Sequence, residues 1–137
     1  MKKIIYKIEQ TLNPSEFIDV LVRSTLSERR PANDLERIKE MCENANLVVT
    51  ARESGKLIGV ARSITDFAYC IYLSDLAVDK NYQKKGIGKR LIEETKKAAP
   101  KAMLILLSAP AAVDYYPKIG MTRHNNCFIL RNLEELN

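Results

Sequence analysis

The stretch from Gln83 to Lys89 reads QKKGIGK, two glycines and three lysines between an apolar run and a helix-like run. A strand, a glycine-bearing turn and a helix make a ready anion site. The first turn of a helix has unpaired N–H groups and sits at the positive end of its dipole. Successive backbone N–H groups in the turn form a concave nest for phosphate oxygens. Gly86 and Gly88 allow positive φ and let the backbone approach a ligand closely. Lys84, Lys85, Lys89 and Arg90 add charge at the rim. The turn is not a Walker loop, since Gly88-Lys89 is followed by Arg90 rather than Ser or Thr. It is not GxGxxG either, because Leu91 stands where the third glycine belongs.

Charge placement points the same way. Residues 79–101 hold eight Lys/Arg and three Asp/Glu, so they carry the whole formal charge of +5 and the rest sums to zero. A basic region this localised suits an anionic partner. A lysine-rich solvated helix face is the alternative. Aromatics interleaved with the basic residues are lacking, Tyr82 being the only one, and no nucleic-acid motif is matched, which argues against nucleic acid as the partner.

Other chemistry-bearing types are sparse. Cys42, Cys70 and Cys127 are odd in number, widely spaced and without CxxC, which argues against disulfides and zinc and for reduced thiols in the cytoplasm. No metal site is expected. His124, the single histidine, falls near a turn and reads as a bystander. The 137 residues fit one domain, 1–137, with one core. No apolar run reaches the roughly 20 residues a bilayer needs. Lys7 and Glu9 interrupt any export signal.

The elements that position the turn follow from pattern. Ile4, Tyr6 and Ile8 alternate as in a strand. Asn13-Pro14 with Glu16 starts a helix whose Phe17, Ile18, Leu21, Val22 and Thr25 share a face. Pro31 breaks the chain, and Leu35, Ile38, Met41 and Cys42 mark a second helix. Two β-rich runs flank Ser54-Gly55 as a hairpin. Ala68 to Val78 is a third run, and Ile87, Leu91, Thr95 and Ala98 line a helix that Pro100 ends. AMLILLS is expected to be a strand buried on both faces, PAAVDYYPK a short helix and CFIL a last strand. The order β-α-α-β-β-β-α-β-α-β describes a mixed α/β or α+β domain, a central sheet flanked by helices.

From Leu73 to Thr95 the chain, LSDLAVDKNYQKKGIGKRLIEET, resembles the GNAT superfamily of acyl-CoA-dependent N-acetyltransferases. AAVDYYPKIGM is similar to that family's second element, and the element order fits along nearly the whole chain. The resemblance implies transfer of an acetyl group from acetyl-CoA to a primary amine by direct attack in a ternary complex. It implies that backbone N–H groups from Lys84 through Lys89, including Gly86, Ile87 and Gly88, hold the pyrophosphate, with Gln83 opening the motif. Lys89 and Arg90 would meet the 3′-phosphate. Leu76, Ala77 and Val78 would bond pantetheine and the thioester carbonyl. Tyr116 matches the tyrosine that protonates the departing thiolate, with Tyr115 filling an apolar position.

An amine of pKa ~10.4 is only ~0.04% neutral at pH 7, so its proton needs an acceptor. Asp75 is the best-placed acid by sequence, with a water relay, through Ser74, as the alternative. The acceptor site is expected near RSTLSERRPANDLER, where Arg30, with Arg62 on a strand, would suit a carboxylate or phosphate on the substrate. The acceptor itself, a small molecule or a peptide amine, is not named by the sequence. Ala109 and Pro110 stand where the family often carries an asparagine, and Met121 where it carries phenylalanine. A GNAT-fold sensor that binds acyl-CoA without turnover is the rival function. Homodimerisation is expected by analogy with the family alone.

Overall fold

The computed structural model describes residues 2–137. The chain divides into two compact units, the first ending at Leu107 and the second running Ser108–Asn137.

The first unit is built on a five-stranded sheet in chain order. Its strands are β1 (Ile4–Ile8), β2 (Leu47–Glu53), β3 (Lys56–Thr65), β4 (Cys70–Val78) and β5 (Met103–Ile105). Neighbours are antiparallel except β4 and β5, which run parallel. The crossover between them carries the helix α3 (Ile87–Ala98). Two further helices, α1 (Pro14–Arg23) and α2 (Leu35–Asn44), lie between β1 and β2 in sequence.

Local chemistry starts each helix. Asn13 Oδ1 accepts from the N–H groups of Ser15 (2.8 Å) and Glu16 (3.2 Å), and Pro14 occupies the first turn where its missing N–H costs nothing. Asp34 caps α2 through the Arg37 N–H. The two faces of the sheet bury different partners. Phe17, Val20 and Leu21 of α1 and Ile38 and Cys42 of α2 pack with Val48, Leu57 and Val60. Ile87 and Leu91 of α3 pack with Val49, Ala51, Ile58 and Ala61 on the other face. Each fully buried large side chain contributes about 1.5–3 kcal/mol. Gly59 lets α3 come close to the sheet, since a Cβ there would lie 3.2 Å from Leu91 and 3.3 Å from Ile87.

Charged side chains tie the layers together. Arg52 of β2 bonds Glu9 and Glu16, joining β2 to the segment after β1 and to α1. Those hydrogen bonds from Arg52 hold both carboxyls below the usual range against the opposing effect of burial.

Three expectations are corrected. Thr25 lies outside α1 in the left-handed region, and Val22 is exposed. AMLILLS yields only the three residues of β5, with Met103 58% exposed, because β5 has one strand neighbour and an uncovered face. Ile64, Tyr72 and Ile105 form an exposed row across β3, β4 and β5. CFIL forms no strand, and Phe128 within it is 92% exposed. High β-propensity makes no strand without a neighbour to complete its ladder.

The second unit holds two 3-10 turns, Pro110–Ala112 and Leu133–Glu135, and the one-turn helix α4 (Tyr115–Lys118). Its Tyr115 and Tyr116 rings meet edge to face, with centroids 5.2 Å apart. The N–H groups of Ile119 and Met121 both return to the Tyr116 carbonyl, which fixes the backbone after Pro117.

Candidate active site

The basic turn is shaped by backbone conformation. Gly86 is left-handed at φ +81° and forms the N-cap of α3, with no side chain capping the helix. The N–H groups of the first turn of α3 are therefore left without a side-chain acceptor. Gly88 lies inside the first turn of α3 without positive φ. Lys84 takes the second left-handed position instead, at φ +64°. Left-handed residues at 84 and 86 are of the kind that shape an anion nest.

Two braces hold the turn to the sheet. Gln83 donates from Nε2 to the Val78 carbonyl at 3.0 Å, closing the loop onto the end of β4. Asp79 accepts from the Asn81 N–H at 2.9 Å and from the Arg23 guanidinium, which also donates to the Leu57 carbonyl. Burial alone would raise the Asp79 carboxyl, but the Asn81 N–H and Arg23 outweigh it and hold it low. Tyr82 donates to Glu53 at 2.8 Å, and Lys85 sits 5.4 Å from its ring centroid. Lys84 and Lys89 form no ion pair among the described residues. Arg90 is occupied: it stacks on the Tyr6 ring at 4.7 Å and donates to Glu94 at 3.0 Å.

Behind the turn, β4 offers an open edge. β5 pairs only with Cys70, Ile71 and Tyr72. From Leu73 to Val78, and so at Leu76, Ala77 and Val78, β4 has a strand partner on the β3 side only. Backbone N–H and C=O groups on such an edge need partners, and an extended ligand can supply them.

Asp75 and its neighbours form a buried ionic cluster. The register runs Arg62↔Asp75 and then Ser63↔Leu73, which leaves Ser74 as the extra residue of a β-bulge. Asp75 is fully buried and accepts from Arg30 Nε at one oxygen and Arg62 Nε at the other. Arg30 also donates to the Ser74 carbonyl at 2.7 Å, and Arg62 to Ser74 Oγ at 3.1 Å and the Met41 carbonyl at 3.0 Å. Two expectations change here. Asp75 is no free base, since both its oxygens are engaged away from solvent. Arg62 is buried, and each of its three nitrogens donates inside the cluster. Arg30 lines an open hollow of about 410 Å³ beside α1.

Tyr116 lies in the second unit. It is half-buried, and its hydroxyl has no hydrogen bond among the described residues. Burial, and then the neighbouring Tyr115, raise its pKa above 10.0, so the phenol stays protonated through the neutral range. His124 accepts from the Asn126 N–H, as a turn residue does. No group of three metal-ligating side chains occurs among the described residues. No described helix is long and apolar enough to cross a membrane.

Sequence reasoning missed the Arg23–Asp79 brace and the bulge. The bulge left one signal: Ser74-Asp75, two consecutive polar residues, interrupts an otherwise apolar strand.

The fold is that of acetyltransferases. The GNAT-family acetyltransferase SP0256 of Streptococcus pneumoniae TIGR4 superposes with a TM-score of 0.75 over 95% of this chain and all of its own, at 18% identity. An aminoglycoside N-acetyltransferase, AAC(6')-Iy, solved in complex with CoA, gives 0.74 over 97% of each chain at 13% identity. At these identities the likeness speaks for the fold alone. In sequence, the chloroplastic GCN5-related N-acetyltransferase 2 of Arabidopsis thaliana is 33% identical over 72 residues, half of this chain but 28% of that protein. The acetyltransferase (GNAT) domain model matches residues 15–134, and the chain belongs to that family.

Proposed function

We propose that this protein is an N-acetyltransferase that moves an acetyl group from acetyl-CoA to a primary amine within a ternary complex. The observation that carries the reading is the uncapped N-terminus of α3 behind left-handed Gly86. That arrangement suits a pyrophosphate held chiefly by backbone N–H groups, with Lys84 and Lys89 as the free rim charges. The open edge of β4 at Leu76, Ala77 and Val78 suits pantetheine, and an N–H aimed at the thioester carbonyl would stabilise the oxyanion. The phenol of Tyr116 would protonate the leaving thiolate. With Asp75 committed to its arginines, the acceptor's proton would leave through water. CoA bound to one structural neighbour supports the choice of cofactor. The reading treats residues 1–137 as one N-acetyltransferase domain, supported by a family match that crosses the boundary between the two units. It includes residence in the cytoplasm, supported by three free thiols, and a homodimer, supported by family resemblance.

Acetyl-CoA should raise the melting temperature, as any ligand of the native state does. Thiol release across a panel of primary amines then reads turnover. A thermal shift without release from any amine would replace the enzyme with an acyl-CoA sensor. No shift at all would remove both. Gly86→Val tests the turn. Nothing lies within 4 Å of the new Cβ, so packing is spared. A β-branched residue in the left-handed region costs about 1–2 kcal/mol, so the turn should open and acetyl-CoA bind about tenfold more weakly or worse. Unchanged affinity would sink the assignment of the turn.

A further inference from the structure

We infer that the acceptor amine carries a carboxylate or similar anionic group, which Arg30 receives in the cleft beside α1. The inference rests on the acetyltransferase reading and adds a substrate class to it.

Arg30 and Arg62 share one acid, Asp75, and no second carboxylate pairs with either guanidinium among the described residues. One positive charge is left over in a largely buried place: Asp75 is fully buried, Arg62 nearly so, and Arg30 is 21% exposed. A buried excess charge is unfavourable unless something answers it.

The cleft is lined by Ile18, Val22, Ser27, Arg30, Ala32 and Asn33, and Arg30 is the only charged residue of the six. A guanidinium has five N–H bonds. Three of Arg30's are given to Asp75, the Arg29 carbonyl and the Ser74 carbonyl, which leaves two. Two N–H groups of one guanidinium suit a carboxylate. Ile18, Val22 and Ala32 can cover an aliphatic stem, and Ser27 and Asn33 can bond polar groups along it. The same guanidinium holds the Ser74 carbonyl at the bulge, two residues before the β4 segment read as the thioester edge. An anion on Arg30 is thereby tied through one side chain to the strand where transfer would occur. A polycation meets the wrong sign in this cleft.

The test uses matched pairs. The ω-amino acids from β-alanine to 6-aminohexanoate are compared with their carboxamides, and spermidine serves as a polycation. The carboxylates should have the higher kcat/KM, by about tenfold or more for a charge-assisted pair. Spermidine should be the poorest substrate. Arg30→Gln should erase the preference, the carboxylates falling to the level of the amides in the same variant. Ser27→Asp sets an acid in the cleft without touching the Asp75 cluster and should reverse the preference, so it decides the matter if Arg30→Gln melts early. Turnover of amides and carboxylates alike, or a preference that survives both variants, overturns the inference and leaves the acetyltransferase reading intact. If acetyl-CoA binds but no amine turns over, calorimetric titration with 6-aminohexanoate and its amide reads the same preference. No shift with acetyl-CoA and no thiol release overturns the underlying reading, and this inference with it.

Discussion

Asp75→Ala should lower folding stability by about 3–5 kcal/mol, the usual cost of breaking a buried ion pair from one side. Among the described residues, Asp75 is the only acid that pairs with Arg30 or Arg62. Without it, two like charges sit side by side, and Arg62 has nowhere to move because it is held by Met41 and Ser74. The Ser74 bulge loses its clamp in the same step. In a chain of 137 residues the change should lower Tm by about 10 °C or more. Urea titration and thermal melting give the measurement. A solvent-facing base would behave in the opposite way, losing rate and leaving the melting curve in place. A stability loss under about 1 kcal/mol would therefore return Asp75 to the base role. Pairing Asp75→Ala with Arg62→Gln should recover part of the loss, because the double variant no longer strands that charge. The cycle of single and double variants isolates the coupling.

Tyr116→Phe should cut kcat by about a hundredfold with little change in the KM for acetyl-CoA. A positioned acid contributes about 10²–10⁴. The lower end applies here. The thiol product has a pKa near ~8.5 and the Tyr116 phenol sits above its ordinary value, so the proton moves uphill unless it is coupled to C–S cleavage. The raised pKa also sets the sign of the pH profile. The acid form is intact below that pKa and is lost as pH rises through it. Wild-type activity should thus fall only above pH 10.0, and the phenylalanine variant should lack that limb. The substitution removes one oxygen that has no hydrogen bond among the described residues, so the melting temperature should hold. An undiminished kcat would strike Tyr116 from the mechanism.

Much of this was legible because it is local. Asn13 caps the helix it was expected to cap, Cys42 is buried, and the turn at Gly86 has its left-handed residue. Gly88 permits positive φ without adopting it, and Lys84 took that conformation, which no residue type announces. The Asp75 cluster joins residues 45 and 13 positions apart. Their meeting depends on a bulge that shifts register by one residue, and a one-residue shift exchanges the faces of every side chain beyond it. Arg90 has the right charge for a phosphate, yet Tyr6 of β1 and Glu94, one turn along α3, claim it. CFIL has the composition of a strand and no partner, and composition cannot report on partners.

The two edges of the sheet bear on aggregation. An unpaired strand edge is a template on which another chain can extend the ladder. β1 meets this hazard with charge: Lys3 and Lys7 are exposed on or beside it, and adding a strand there would bring two lysines toward a new backbone. β5 meets it with brevity. Three residues give an incoming chain too few hydrogen bonds to hold, although Met103 and Ile105 are apolar and exposed. The shortness that leaves most of β4 open for a ligand thus also keeps the sheet from growing sideways.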